Sequence, residues 1–155
     1  MENIQGYIIQ AIKDAARQAA AQMVDELGVD GVIDKIYTFP AEIRRQEGLL
    51  ADARRRLDEA KSNLELAKQL IVAAVISETN GDGKPRYSND KAREAEITKR
   101  LVIDPEYRAA LQAVREAEDT VNSEQFELNR LNNEFSAYRA VARVLAGKLH
   151  LVAGL

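Results

Sequence analysis

Residues able to do chemistry are most concentrated in one short segment, residues 78–90 (ETNGDGKPRYSND). Glu78, Asn80 and Asp82 alternate as oxygen donors, and Gly83 follows where a calcium-binding helix–loop–helix segment needs its sharp turn. The pattern then fails, because Pro85 replaces the mid-loop aliphatic and Asn89 stands where a bidentate glutamate is required. Gly81 to Lys84 hints at a phosphate cradle, but the glycine-to-lysine spacing is wrong and no strand precedes it. Lys84, Arg86 and Tyr87 combine two cations with a stacking ring, the chemistry that grips phosphates and stacks a base. Lys91, Arg93, Lys99 and Arg100 follow, yet residues 79–104 hold six basic groups against five acidic ones, which leaves little net field. Arg44, Arg45 and Arg54 to Arg56 form a second basic cluster, also with acids nearby. The candidate contact residues are therefore Asn80, Asp82, Lys84, Arg86, Tyr87, Lys91 and Arg93, for a protein partner or, alternatively, for nucleic acid.

Catalytic constellations are hard to find elsewhere. The chain has no cysteine, and its one histidine, His150, lies in an apolar tail without a local nucleophile or carboxylate. Carboxylates are many but interleave with arginines, the pattern of solvated helix faces carrying (i, i+4) pairs. Glu124 is the odd one, since it falls in a column of otherwise apolar residues. It reads as a polar register-setting residue before it reads as a bundle-core ligand, for no Glu-x-x-His motif accompanies it. The expectation is a non-enzyme with no catalytic residue, no cofactor and no metal site.

The elements that must position these residues are helices. Ile43, Leu50, Leu57, Leu64 and Ile71 recur every seventh residue, and Ala53, Ala60, Ala67 and Ala74 do so three places later. A second set of heptads runs through Tyr107, Val114, Val121, Leu128, Phe135, Ala142 and Leu149, with Ala110, Ala117, Glu124, Leu131, Tyr138 and Leu145 as its other column. Two such stretches of similar length across a reversing connection predict an antiparallel pair, with alanine facing alanine for close approach. Asp104-Pro105-Glu106 reads as cap, first helical residue and acidic first turn; the alternative is a continuous helix kinked at the proline.

The expected architecture is all-α: a long antiparallel two-helix coiled-coil hairpin with a short tip helix and an N-terminal helix packing at the base. Its parts are an N-terminal helical segment (1–39), hairpin helix 1 (40–78), tip loop and short helix (79–104), hairpin helix 2 (105–148) and an apolar tail (149–155), in a single domain. Within the first part, Gly28 is expected to end one helix in the left-handed region, and Pro40 to open the next. The surplus apolar residues at the end, including Val144, Leu149, Leu151 and Val152, predict self-association as a homodimer.

Composition agrees with this reading. In 155 residues the chain is 46% hydrophobic and 30% charged, with a net charge of −3 that exerts no global pull on nucleic acid. No apolar run approaches the ~20 residues that span a bilayer, and the opening residues lack the pattern of a signal segment. Residues 1–40 carry three basic and six acidic groups, a poor balance for a membrane-surface helix. A soluble, cytoplasmic protein is expected.

Lys84-Pro85-Arg86-Tyr87-Ser88-Asn89, then Asp104-Pro105-Glu106-Tyr107, then a heptad helix ending in Phe135, Tyr138, Arg139 and Ala142 resembles small coiled-coil hairpin proteins of bacteriophages and mobile elements. The resemblance covers residues 80–145 and implies an accessory of DNA recombination or replication, or a host-factor-binding protein. It carries over no catalytic residue.

Overall fold

The computed structural model describes the backbone of residues 2–26 and 28–153; the side chains of residues 2–5, 20, 23 and 151–153 lie outside the described set. Among the described residues the chain forms four helices: α1 (Glu2–Glu26), α2 (Val29–Ser77), α3 (Asp90–Ile103) and α4 (Pro105–Ala153). The fold is all-α. Two compact units are present, one formed by residues 1–45 and 128–155, the other by residues 46–127, so α2 and α4 contribute to both.

Helix ends follow local chemistry. Gly28 adopts φ +61° and donates its N–H to the Asp25 carbonyl at 3.0 Å, the left-handed termination expected of it. Helix α2 then begins at Val29, and Pro40 lies inside it rather than opening it. The expected break at Pro40 is thus absent. Pro40 deprives the Ile36 carbonyl of its helical donor, but the helix continues on either side, and the Arg44 guanidinium makes a separate bond to the Pro40 carbonyl at 3.2 Å. Asp104 both ends α3 and starts α4. Its N–H donates to the Arg100 carbonyl at 2.8 Å, and its carboxylate accepts from the Tyr107 N–H at 2.8 Å. Its ψ of 123° is the extended value a following proline imposes, so the chain breaks there and does not merely kink.

In the unit formed by residues 46–127, Leu50, Ala53, Ile71, Val75 and Val114 are buried. Leu57, Leu64, Ala60, Ala67, Ala110, Ala117 and Val121 are half-buried, so the two apolar columns are the least exposed faces of their helices. Each aliphatic side chain taken fully out of water stabilises by about 1.5–3 kcal/mol. In the other unit Phe39, 3% exposed, packs its ring against Phe135 at 5.9 Å and Tyr138 at 5.4 Å, and Leu131 and Leu145 are buried.

The N-terminal helix differs from expectation. The described side chains from Gly6 to Ala19 are all exposed, with Ile8 at 52% and Ile12 at 63%. Past Ile12 its stripe continues in Ala15 and Ala19, which offer little area to bury. The apolar residues it was expected to cover stay open in part, with Val141 46% and Val144 59% exposed. Ile4, Met23, Leu27 and Leu155 lie outside the described side chains.

Candidate functional site

The loop between α2 and α3 is built around Asn80. Thr79 and Pro85 form an isolated antiparallel bridge, and the Asn80 N–H donates to the Lys84 carbonyl at 2.8 Å. The Asn80 side-chain oxygen accepts from the backbone N–H groups of Asp82 at 3.1 Å and Lys84 at 3.0 Å. Gly83 takes φ +74°, and its N–H donates to the Asn80 carbonyl at 3.0 Å. An asparagine oxygen occupied by two backbone donors folds the turn, as such side chains do when they mimic backbone. The calcium-like spacing of Glu78, Asn80 and Asp82 is used for this turn. Among the described residues no group of three or more acidic or histidine side chains gathers as metal ligands would.

Asn89 caps α3, its oxygen accepting from the Ala92 N–H at 2.8 Å. Below it lies a charged cluster in which Arg100 bridges Glu78 and Glu96, the latter at 2.8 Å. Arg86 reaches the second Glu78 oxygen at 3.5 Å, and the Tyr87 hydroxyl donates to that oxygen at 3.4 Å. Arg100 also donates to the Tyr87 hydroxyl at 3.4 Å. The hydrogen bond from Arg100 holds the Glu96 carboxyl below the usual carboxylate range, against the opposing effect of burial and with help from the nearby Lys99 charge. The same bond, followed by that to Glu78, raises the Arg100 guanidinium still further above its ordinary value.

The expected contact residues therefore divide. Arg86 and Tyr87 are turned onto Glu78, and Asn80 is committed to its own loop. Asp82, Lys84 and Lys91 are exposed. Arg93 is half-buried and pairs with Asp90 at 3.5 Å, while its Nε is buried without a hydrogen-bond partner. At the other end of the chain Val144 is 59% exposed and Leu149 half-buried; the side chains of Leu151 and Val152 lie outside the described residues.

Sequence reasoning missed two features. Gln46, only 4% exposed, donates through Nε2 to the Glu124 carboxylate and to its backbone carbonyl at 3.1 Å. The signal was available: Gln46 stands one heptad step before Ala53, so it continues the alanine column as Glu124 interrupts the column of α4. The second is a groove of about 520 Å³ lined by Leu70, Ala74, Ile103 and Pro105 together with Arg100, Asp104 and Glu106. Leu70 is 59% and Ile103 65% exposed, and Leu66, Ile76 and Val102 are also more than half exposed. No described helix is long and apolar enough to cross a membrane. The chain matches no protein-family model, no curated protein and no solved structure.

Proposed function

We propose that this chain is a non-enzymatic helical-hairpin protein that works by protein–protein contact, in the manner of a phage-type accessory or host-factor-binding protein. The antiparallel hairpin is supported within residues 46–127 by the sequence of contacts between α2 and α4. Gln46 meets Glu124, Lys61 meets Glu118 at 3.8 Å, and Ile71 and Ala74 share a groove with Pro105 and Glu106, so the partner number falls as the α2 number rises.

The observation that carries the contact reading is the exposed apolar lining of that groove. Leu70 on α2 and Ile103 on α3 both line it and stay more than half exposed, beside Ala74 and Pro105. Isolated exposed aliphatics are ordinary, but aliphatics that line one open concavity mark a surface that another molecule covers. The groove displaces the 80–87 turn as the favoured contact surface, because Asn80, Arg86 and Tyr87 are held by internal bonds. That internal pairing also weakens the nucleic-acid alternative, in which Arg86 would leave Glu78 for a phosphate.

A photo-crosslinking residue at Ile103, in the cells that produce the protein, tests the reading. A crosslinked protein species lost in Leu70→Asp is expected; absence of any Leu70-dependent species would refute it. Binding of single-stranded DNA at low salt, abolished in Lys84→Ala/Arg86→Ala, would replace it with the nucleic-acid reading.

A further inference from the structure

We infer that Asn80 and Gly81 form a self-modifying site, in which the Gly81 backbone nitrogen attacks the Asn80 side-chain carbonyl and the side-chain amide leaves as ammonia. The turn that follows α2 holds each part of that reaction ready. The electrophile is polarised, because the Asn80 Oδ1 accepts from the N–H groups of Asp82 at 3.1 Å and Lys84 at 3.0 Å. An oxygen that reaches the N–H two residues ahead folds its side chain over the residue between, here Gly81. The nucleophile is unengaged: the Gly81 N–H finds no acceptor among the described residues, whereas the Asn80 and Gly83 N–H groups are bonded. The Asn80 Nδ2, which must leave, likewise donates to no described residue. Glycine places no Cβ beside the attacking nitrogen, and both residues are exposed to the water the reaction consumes.

The steps balance with water as co-reactant. Hydroxide takes the Gly81 N–H proton, the nitrogen bonds to the Asn80 Cγ, and the carbonyl electron pair moves onto Oδ1. The Asp82 and Lys84 N–H groups then face a developing oxyanion, which they stabilise more than the neutral carbonyl. Collapse expels Nδ2, which takes a proton from water and departs as ammonia, leaving a cyclic imide. Water opens the ring at either carbonyl. Cleavage of the new bond gives an ordinary aspartate. Cleavage of the old one routes the main chain through the side chain, adding a backbone atom between Thr79 and Pro85, which pair as a bridge. Both products add a negative charge to the turn, and the lengthened one disturbs the register that sets Arg86 and Tyr87 on Glu78.

The same chain contains its own controls. Asp82-Gly83 repeats the acid-or-amide-then-glycine order, but the Gly83 nitrogen already donates to the Asn80 carbonyl at 3.0 Å. Asn63 lies in α2 and Asn122 and Asn132 in α4, where the helix takes up the following N–H. Incubating the full chain at neutral and alkaline pH, followed by peptide mass spectrometry, tests the site. Conversion of the Asn80 amide to acid is expected to exceed that at Asn63, Asn122 and Asn132 many-fold, to rise with pH, and to yield both aspartyl and isoaspartyl forms. Gly81→Ala keeps the turn, because Gly81 lies outside the left-handed region and open space surrounds an added Cβ. It is expected to slow conversion many-fold. The folded chain is expected to convert faster than the chain in urea, where Oδ1 loses its backbone donors, and this comparison needs no variant. Slower conversion folded than unfolded, an unchanged rate in Gly81→Ala, or equal conversion at the helical asparagines each overturns the inference.

Discussion

Replacing Glu124 by leucine separates the two uses a polar pair can have in an apolar interface. Gln46 is 4% exposed and directs one amide nitrogen at both the carboxylate and the carbonyl of Glu124. A hydrogen bond to a charged group contributes about 1.5–3 kcal/mol, and a buried donor left without a partner costs about 1–3 kcal/mol. In Glu124→Leu the carbonyl still accepts, so the loss should fall near the lower half, about 1.5–2 kcal/mol. For a chain of this size that is a fall in Tm of roughly 3–8 °C. Gln46→Leu removes the buried amide and leaves a half-buried carboxylate that water can reach, so it should cost less, about 0–1 kcal/mol. With both replaced, no polar group remains stranded and apolar area is gained; the double variant should match or exceed the wild type.

Urea unfolding followed by circular dichroism supplies the four free energies. The coupling between the sites should be about 1.5–3 kcal/mol, favourable for the paired combinations over the mixed ones. A coupling within error of zero would refute the argument, since the two groups would then not be satisfying each other. If the pair also fixes register, the stabilised double variant should lose uniqueness, seen as broadened or doubled amide signals in its NMR spectrum.

Asn80→Ala removes the acceptor of two backbone donors in an exposed turn; a local loss of about 1 kcal/mol is expected, read as roughly five-fold faster amide exchange at Lys84 with little change in global Tm. The Glu96 carboxyl is held below its unfolded value, so its stabilisation is complete above the ordinary carboxylate range and is lost as pH falls through the depressed value. Protection of the α3 amides, taken relative to the intrinsic exchange rate at each pH, should accordingly fall in acid, and Glu96→Gln should flatten that fall; an unchanged profile would exclude the Arg100 bond as its cause. Pro40→Ala restores a missing donor inside α2 and should raise stability by about 1–3 kcal/mol in urea unfolding. Phe39→Ala opens a cavity between Phe135 and Tyr138 and should cost about 3–5 kcal/mol in the same assay.

Periodicity carried most of the helical interior. Nearly every residue of the two apolar columns is buried or half-buried, because a seven-residue repeat leaves one stripe to hide whatever lies opposite. Ala74 is the exception. It is exposed, while its neighbour Val75 is the most buried of the described residues at 1%, because the heptad count drifts against the helical turn and the buried face moves on by one residue. The Asp104 boundary was legible because a cap and a proline state it chemically. Pro40 carried a similar signal and was overridden, since a proline in a long helix loses one bond while packing at Phe39 retains the rest. The candidate site was the least legible part. Lys84, Arg86 and Tyr87 look available in sequence, but whether a cation is free depends on carboxylates supplied from elsewhere. Here Glu78 holds Arg86 and Tyr87 while Lys84 stays exposed, and in that cluster only Glu96 with Arg100 showed the (i, i+4) spacing that announces a pair.

The exposed groove has a physical origin in that same regularity. A heptad column hides one stripe of a helix and no more. Residues 66–76 of α2 are apolar on more than that stripe, so Ile71 and Val75 are covered while Leu70 and Ile76 are not. Helix α3 is 14 residues long and ends at Ile103 because Asp104 and Pro105 stop it. A longer α3 could have extended its cover along α2; the cap prevents this and turns the chain into α4. The break thus does two things at once. It starts the helix that packs along α2, and it leaves Ile103, Leu70 and Pro105 around an opening that nothing in residues 46–127 fills. Moving the break should therefore move the surface: if Pro105→Ala lets α3 and α4 fuse, the groove is lost and Leu70-dependent association should go with it. If association survives in a fused helix, the groove is not what the partner touches.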